Sequence, residues 1–322
     1  MNDTLADLRP GRSCPVRYRY PLTVFAREPD IHADTLYVVG GVYGNRQAMD
    51  TILTMFGNEQ GSKELVFNGD FNWFNTDAEG FEAINREVLS HIALRGNVET
   101  ELASDDTGAG CGCAYPDSVS DAEVARSNQM LEQLRNTARR FPALRQKLAQ
   151  LPMHVVAQVG AARIGLVHGD AKSLAGWEFD VSALDDPTQR AQAISTFATA
   201  KVDGFASSHT CLPVLREFSG ADREHWIINN GAAGMPNFAN TKFGLLTRIS
   251  KSAAPPGIAL YGLSTAGVFI DALPIHYDHT RWLADFCANW PSGSPGFESY
   301  YKRIVSGPNY EMNRAKPIAL AA

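Results

Sequence analysis

Four short apolar runs in this chain each stop at a small turn residue beside a side chain that binds metals well. Glu64–Phe67 runs into Asn68-Gly69-Asp70, His91–Leu94 into Arg95-Gly96-Asn97, Ala162–Val167 into His168-Gly169, and Gly204–Ala206 into Ser207-Ser208-His209. Runs of this length bounded by turn residues read as buried strands. In an open α/β sheet, chemistry gathers beyond the carboxyl ends of such strands. A lone Gly-Asp is also satisfied by local backbone donors, and a lone strand-end His is also a hydrogen-bonded core residue. One Asp, one Asn and two His in the same structural position together make a ligand set suited to Zn, Mn or Fe.

The rest of the chain reads as alternating elements around these ends. Leu36–Val39 is a strand, Gly40–Asn45 its turn, and Ala48, Ile52, Leu53 and Phe56 give an amphipathic helix by their spacing. The turn resembles a dinucleotide fingerprint, but Val39 stands where the first glycine belongs. A helix over Ala78–Leu89 follows. The Gly-rich stretch Asp105–Cys113 reads as a loop, and the capping box Ser120/Glu123 opens a long amphipathic helix through Val124, Leu131, Leu134 and Ala138. The second half is richer in β: a hairpin of Met153–Val159 and Ala162–Val167 around Gly160, a helix over Thr188–Lys201, the strand Trp226–Ile228, and a meander near 243–249, 258–263 and 267–273. Arg17-Tyr18-Arg19-Tyr20 alternates as an edge strand does, and a short helix is expected over Phe297–Ile304. The expected division is an N-terminal extension 1–34, a domain 35–275 and a tail 276–322 packed on it. Trp226, Trp282, Phe297, Tyr300 and Tyr301 serve either a subunit contact or buried packing.

Composition narrows the function. A 44% hydrophobic content over 322 residues allows an ample core. A net charge of -6 gives no footprint for nucleic acid, so a small phosphorylated ligand would need a metal or a local cation. No apolar stretch is long enough to span a bilayer. Five cysteines do not suggest a secreted disulfide framework, and the acidic opening Met1–Asp7 lacks the regions of a signal peptide. A cytoplasmic location is the expectation.

In their order, the motifs resemble the calcineurin-like metallophosphoesterases, in particular the small bacterial branch, over roughly residues 35 to 275. That family's series runs D-x-H-G-N, G-D-x-x-D, G-N-H-E/D, a strand-end H, then G-H-x-H. Here Gly41-Val42-Tyr43-Gly44-Asn45, Gly69-Asp70, Gly96-Asn97-Val98-Glu99, His168-Gly169 and Ser208-His209-Thr210-Cys211 take those places, and Asn230–Pro236 is similar to the N-x-G-S-x-G-x-P segment. The resemblance implies an α/β sandwich of mixed β-sheets flanked by helices. It also implies a divalent metal (Mn, Zn or Fe), about one per chain, held by Asp70, Asn97, His168 and His209, with Asp70, Asn97 and His209 catalytic and Asn45 on the phosphate.

The first-metal half departs from the family. Gly41, Tyr43 and Cys211 stand where it has Asp, His and His, Val98 replaces the catalytic His, and Trp73 replaces the Asp of the second motif's tail. Glycine offers no donor and an unperturbed phenol ionises near pH ~10, so a standard first metal is expected to bind weakly. Either Cys111, Cys113 and Cys211 rebuild a thiolate site for Zn or Fe, or Tyr43 fills the vacated volume. Cys111 and Cys113 also read as free thiols or a redox disulfide. The implied activity is a divergent metal-dependent phosphoesterase acting on a phosphomono- or phosphodiester. The alternative is a catalytically impaired pseudo-phosphoesterase that binds a phosphorylated ligand or partner.

Overall fold

A computed structural model describes residues 9–220 and 222–317. The acidic opening Met1–Asp7 lies outside the described residues. The chain forms β1 (Ile31–Ala33), β2 (Thr35–Val39), α1 (Arg46–Asn58), β3 (Lys63–Asn68), α2 (Ala78–Val88), β4 (Ile92–Leu94), α3 (Asn97–Ala103), α4 (Asp121–Ala138) and α5 (Pro142–Gln150). There follow β5 (His154–Val159), β6 (Ala162–Val167), α6 (Val181–Asp185), α7 (Pro187–Ala200), β7 (Gly204–Ser207), β8 (Pro213–Ser219), β9 (Glu224–Asn230), β10 (Gly244–Ser250), β11 (Tyr261–Thr265) and β12 (Val268–Ile275). The helices α8 (His279–Asn289), α9 (Pro295–Ser306) and α10 (Met312–Ala315) complete it.

Two mixed six-stranded sheets result, in the orders β1-β5-β6-β7-β9-β8 and β11-β12-β10-β2-β3-β4. Side chains alternate across each strand, and both faces are covered. Leu36 and Val38 of β2 enter the core between the sheets with Val66, Ile164, Leu166, Trp226 and Ile228. Their neighbours Tyr37 and Val39 point the other way, to the layer of α1, α2, α4 and α8. That two-sided burial is why the strands read as unbroken apolar runs. The strands β2, β3 and β4 are mutually parallel, as are β6, β7 and β9. The turns after β3, β4, β6 and β7 therefore gather along one edge of the sandwich. The Asn68 side chain joins the sheets at that edge, donating to the Val167 carbonyl at 2.7 Å.

Several elements differ from the sequence expectation. Arg17–Tyr20 is no edge strand: Pro15 and Pro21 bracket it, Val16–Tyr18 closes one 3-10 turn, and Arg19 alone bridges Ser173. The extension also supplies β1, which pairs parallel with β5. The helices α3, α5 and α8 and the strand β8 went unread. The first was masked by its motif, since Asn97 ends no strand but opens α3 behind the N-cap Gly96. Trp226 and Trp282 are core residues, while Phe297 stacks on the exposed Tyr301. Among the described residues no helix is long and apolar enough to cross a membrane.

One buried charge network ties the extension to α3. Glu101 is fully buried and accepts from Arg17 Nη2 at 2.6 Å, Tyr18 Oη at 2.6 Å and Arg135 Nη2 at 3.0 Å. The Arg135 side chain is only 5% exposed, so removing Glu101 would strand its charge. We expect Glu101→Ala to lower stability by about 3–5 kcal/mol, read as a fall in the urea midpoint. Glu132→Ala, which removes only a half-exposed partner of Arg135, should change it by less than about 1 kcal/mol.

Candidate metal centre

The turns that carry the site nest because two of them are glycines. Gly69 takes φ +81°, and a β-carbon there would sit 2.6 Å from both the Gly96 nitrogen and His168 Nδ1. Asp70, at φ +54°, is in the left-handed region that Asp tolerates better than most residues. Its Oδ1 accepts from the Val98 N–H at 3.1 Å, leaving Oδ2 facing inward. Glu99 fastens the two turns together: its carboxylate accepts from the backbone N–H groups of Asp70 (2.7 Å), Phe71 (3.1 Å) and Gly96 (3.0 Å). Burial and the neighbouring Asp70 push the Glu99 carboxyl up to about 7, against the pull of those N–H groups.

Inside this frame, Asp70 Oδ2, Asn97 Oδ1 and His209 Nδ1 lie 3.3, 3.2 and 3.2 Å from His168 Nε2. The outer atoms decide what the inner ones are. His168 Nδ1 is 2.8 Å from the Asn68 carbonyl and His209 Nε2 is 3.0 Å from the Cys113 carbonyl. A carbonyl only accepts, so each ring carries its proton on the outer nitrogen and turns a lone pair inward. Asn97 Nδ2 donates to the Cys111 carbonyl at 3.0 Å, which turns Oδ1 inward as well. Four acceptors thus converge with no donor of their own. Ligand atoms of Asp70, His168 and His209 all lie within 4.8 Å of one another, and all three residues are buried.

A cation answers that arrangement. Without one, a proton on His168 Nε2 is the remaining partner. Burial disfavours its charge, yet Asp70 overrides this and raises the His168 pKa above its ordinary value. Burial would raise Asp70, but His168, His209 and the Val98 N–H together hold it below the usual carboxylate range. His209 is brought down to about 4 by burial and by His168. One carboxylate, one amide oxygen and two imidazoles with backbone carbonyls behind them fit a borderline divalent ion such as Zn or Mn.

Where the resemblance puts a first metal, Tyr43 fills the space. Gly41, at φ +66°, lies under the Tyr43 ring: a β-carbon there would meet the phenol at 2.7–2.8 Å. The Tyr43 hydroxyl is 2.9 Å from Cys211 Sγ. Burial first, then the other's proximity, pushes the phenol up; burial raises the thiol too, so both stay protonated. Of the two alternatives, the packing fits Tyr43 filling the volume and not a thiolate site. Cys111 and Cys113 are joined as a disulfide, which leaves them no thiolate to give. Asn45 also departs from its expected role on phosphate. It is fully buried as the N-cap of α1, its Oδ1 taken by the Ala48 N–H and its Nδ2 by the Gly234 carbonyl.

A cavity of about 250 Å³ opens over the cluster, walled by Trp73, Tyr115, Trp177 and Tyr300, with Arg303 beside Tyr43 and Cys211. Sequence reasoning did not place Trp177, Tyr300 or Arg303 in the site. A signal existed for the last two, because Tyr300, Arg303 and Ile304 share one face of α9 at spacings of three and four.

The tautomers set a prediction. His168 holds its extra proton at pH values below its raised pKa, and an incoming metal must displace it. His209 is already neutral above about 4. Zn binding near neutral pH should therefore release protons, with affinity rising as pH rises. Calorimetry in buffers of differing ionisation enthalpy reads both. Absence of proton release below neutral pH would contradict the assignment.

No family model matches the chain, and no curated protein matches its sequence. Solved structures do resemble it. A metallophosphoesterase from Sphaerobacter thermophilus superposes with a TM-score of 0.53 at 16% identity, covering 86% of this chain and 100% of that one. A hypothetical protein from Pyrococcus horikoshii OT3 superposes with a TM-score of 0.55 at 14% identity, covering 85% of this chain and 99% of that one. With two mixed sheets flanked by helices and the strand-end residues along one edge, the chain has the calcineurin-like metallophosphoesterase fold.

Proposed function

We propose that this protein is a metal-dependent phosphoesterase that works with one divalent cation held by Asp70, Asn97, His168 and His209. The observation that carries the reading is the set of four inward acceptors whose orientation is fixed from behind by backbone groups. A divalent ion there would supply Lewis-acid polarisation of a phosphoryl oxygen and an acidified water. The chain's own residues do the rest. Asp70 stays ionised, because Val98 N–H and the two imidazoles hold its carboxyl low. Glu99 keeps the two turns locked, and the aromatic walls limit water and favour a small substrate with a flat ester group.

The loss at position 98 bears on which ester is cleaved. Val98 cannot donate a proton to a departing alkoxide. Tyr43 and Cys211 are held protonated by burial, and the Glu99 carboxylate is engaged by three backbone N–H groups, so none of these described residues readily replaces it. Esters of acidic alcohols, which leave without protonation, are therefore the favoured substrates. The same filled half supports a second reading, in which the protein binds a phosphorylated ligand without turning it over. The small phosphorylated substrate is common to both.

Hydrolysis separates the two. With added Mn, bis-p-nitrophenyl phosphate should be cleaved and a simple alkyl phosphate should not. Asp70→Asn and His209→Ala should each lose at least about 100-fold in kcat/KM, the scale on which disturbing a metal site acts. The double variant Cys111→Ser/Cys113→Ser should keep its metal. No turnover by chains that carry one metal would favour the binding reading.

A further inference from the structure

Among the described residues the Arg303 guanidinium has no counter-charge. It projects from the last turn of α9 to the edge of the cavity that covers the metal-type cluster. Its Nη2 donates to the Cys211 carbonyl at 2.6 Å and its Nε to the Pro236 carbonyl at 3.3 Å. These neutral acceptors orient the fork without neutralising it. Among the described residues Nη1 has no hydrogen-bond partner and no carboxylate pairs with the group. Glu123, the exposed acid at the rim of the same cavity, pairs with Ser120 instead. A half-buried, oriented and unpaired guanidinium is the chemistry that binds tetrahedral oxyanions.

Its position is as informative as its charge. The carbonyl that holds Nη2 belongs to Cys211, whose thiol contacts the Tyr43 phenol over Gly41. Those three positions are where the family resemblance puts first-metal ligands. Arg303 thus stands at the corner where that resemblance puts a first metal, lining the same cavity as Asp70, Asn97 and His209. We propose that Arg303 is an oxyanion-binding residue that takes a phosphoryl oxygen in place of a first metal ion. The tail is then part of the site and not an outer decoration. The inference shares its site with the proposed phosphoesterase but concerns binding, so it holds or fails apart from turnover.

The probe is inorganic phosphate, titrated by calorimetry into the metal-loaded chain and into Arg303→Gln. Glutamine can still donate to the Cys211 carbonyl but carries no charge. The expected result is at least a tenfold weaker phosphate affinity in Arg303→Gln, with metal content and melting temperature unchanged and Arg303→Lys intermediate. Wild-type affinity should fall as salt rises, while Arg303→Gln should lose that dependence. Equal affinity in the two chains, or no phosphate binding at millimolar concentrations by wild type, overturns the proposal. If Arg303→Gln does not fold, the wild-type chain gives the same answer. Phosphate should shield Arg303 from phenylglyoxal, read by peptide mass mapping, and absence of shielding overturns it. Arg303-dependent phosphate binding without hydrolysis by any chain would sink the enzyme reading alone. Hydrolysis lost in Asp70→Asn but unchanged, with equal phosphate affinity, in Arg303→Gln would sink this one alone.

Discussion

Two backbone carbonyls decide what the centre of this protein is. Asn68 O and Cys113 O sit behind the rings of His168 and His209, and each obliges its ring to keep the proton on the far side. Were either carbonyl replaced by a donor, the ring would turn its N–H inward and the cluster would be a hydrogen-bonded knot with no room for a cation. The Asn68 carbonyl lies at the end of β3, and its own side chain grips Val167 at the end of β6. The register between the two sheets therefore sets the tautomer of His168. Sheet packing and ligand chemistry are one constraint here, because a shift of one sheet along the other would move both atoms at once.

The chain's two ends finish what the sandwich begins. The extension brings Tyr18 and Arg17 onto Glu101, and Glu101 lies in α3, the helix that starts with Asn97, whose Oδ1 faces the cluster. The tail brings α9 across α4, placing Tyr300 and Arg303 over the cavity. The turns that carry the metal-type residues lie at one edge of the sandwich. Trp73, Tyr115 and Trp177 wall the cavity from within residues 35–275, and the tail adds Tyr300 and Arg303. A scaffold of this kind lets the tail-borne part of the wall change without disturbing the metal-type centre.

Much of this was legible because buried parallel strands announce themselves. Val66, Ile164 and Ala206 lie in stretches that stay apolar up to the turns that follow, so the places where such stretches stop before Asp70, His168 and His209 stand out. The stop at Asn97 misled, since β4 already ends at Leu94 and Gly96-Asn97 opens α3. Asn45 shows a different limit. Its residue type suits a phosphate contact and an N-cap equally, and only the backbone around Ala48 and Gly234 reveals that both ends of its amide are taken. Cys111 and Cys113 could be thiols or a disulfide by spacing alone. Arg303 was hidden for a topological reason: more than 90 residues separate it from Cys211, and no local pattern reports a contact made by a returning tail.

The packing of the Tyr43 corner favours the proposed side-chain cation there over a second ion. An ion in that corner would need an anionic ligand at 41, but Gly41 lies under the Tyr43 ring and a β-carbon at that position would collide with it. It would also need ionised partners, yet burial keeps the Tyr43 phenol and the Cys211 thiol protonated and bonded to each other. What such a neutral, close-packed corner can present is backbone, and the backbone it presents is the Cys211 carbonyl. A carbonyl is a poor sole ligand for a divalent ion and a good rest for one arm of a guanidinium, whose charge is spread and weakly hydrated. Gly41, Tyr43 and Cys211 at this corner and the arginine that reaches in from the tail are thus compatible parts of one arrangement.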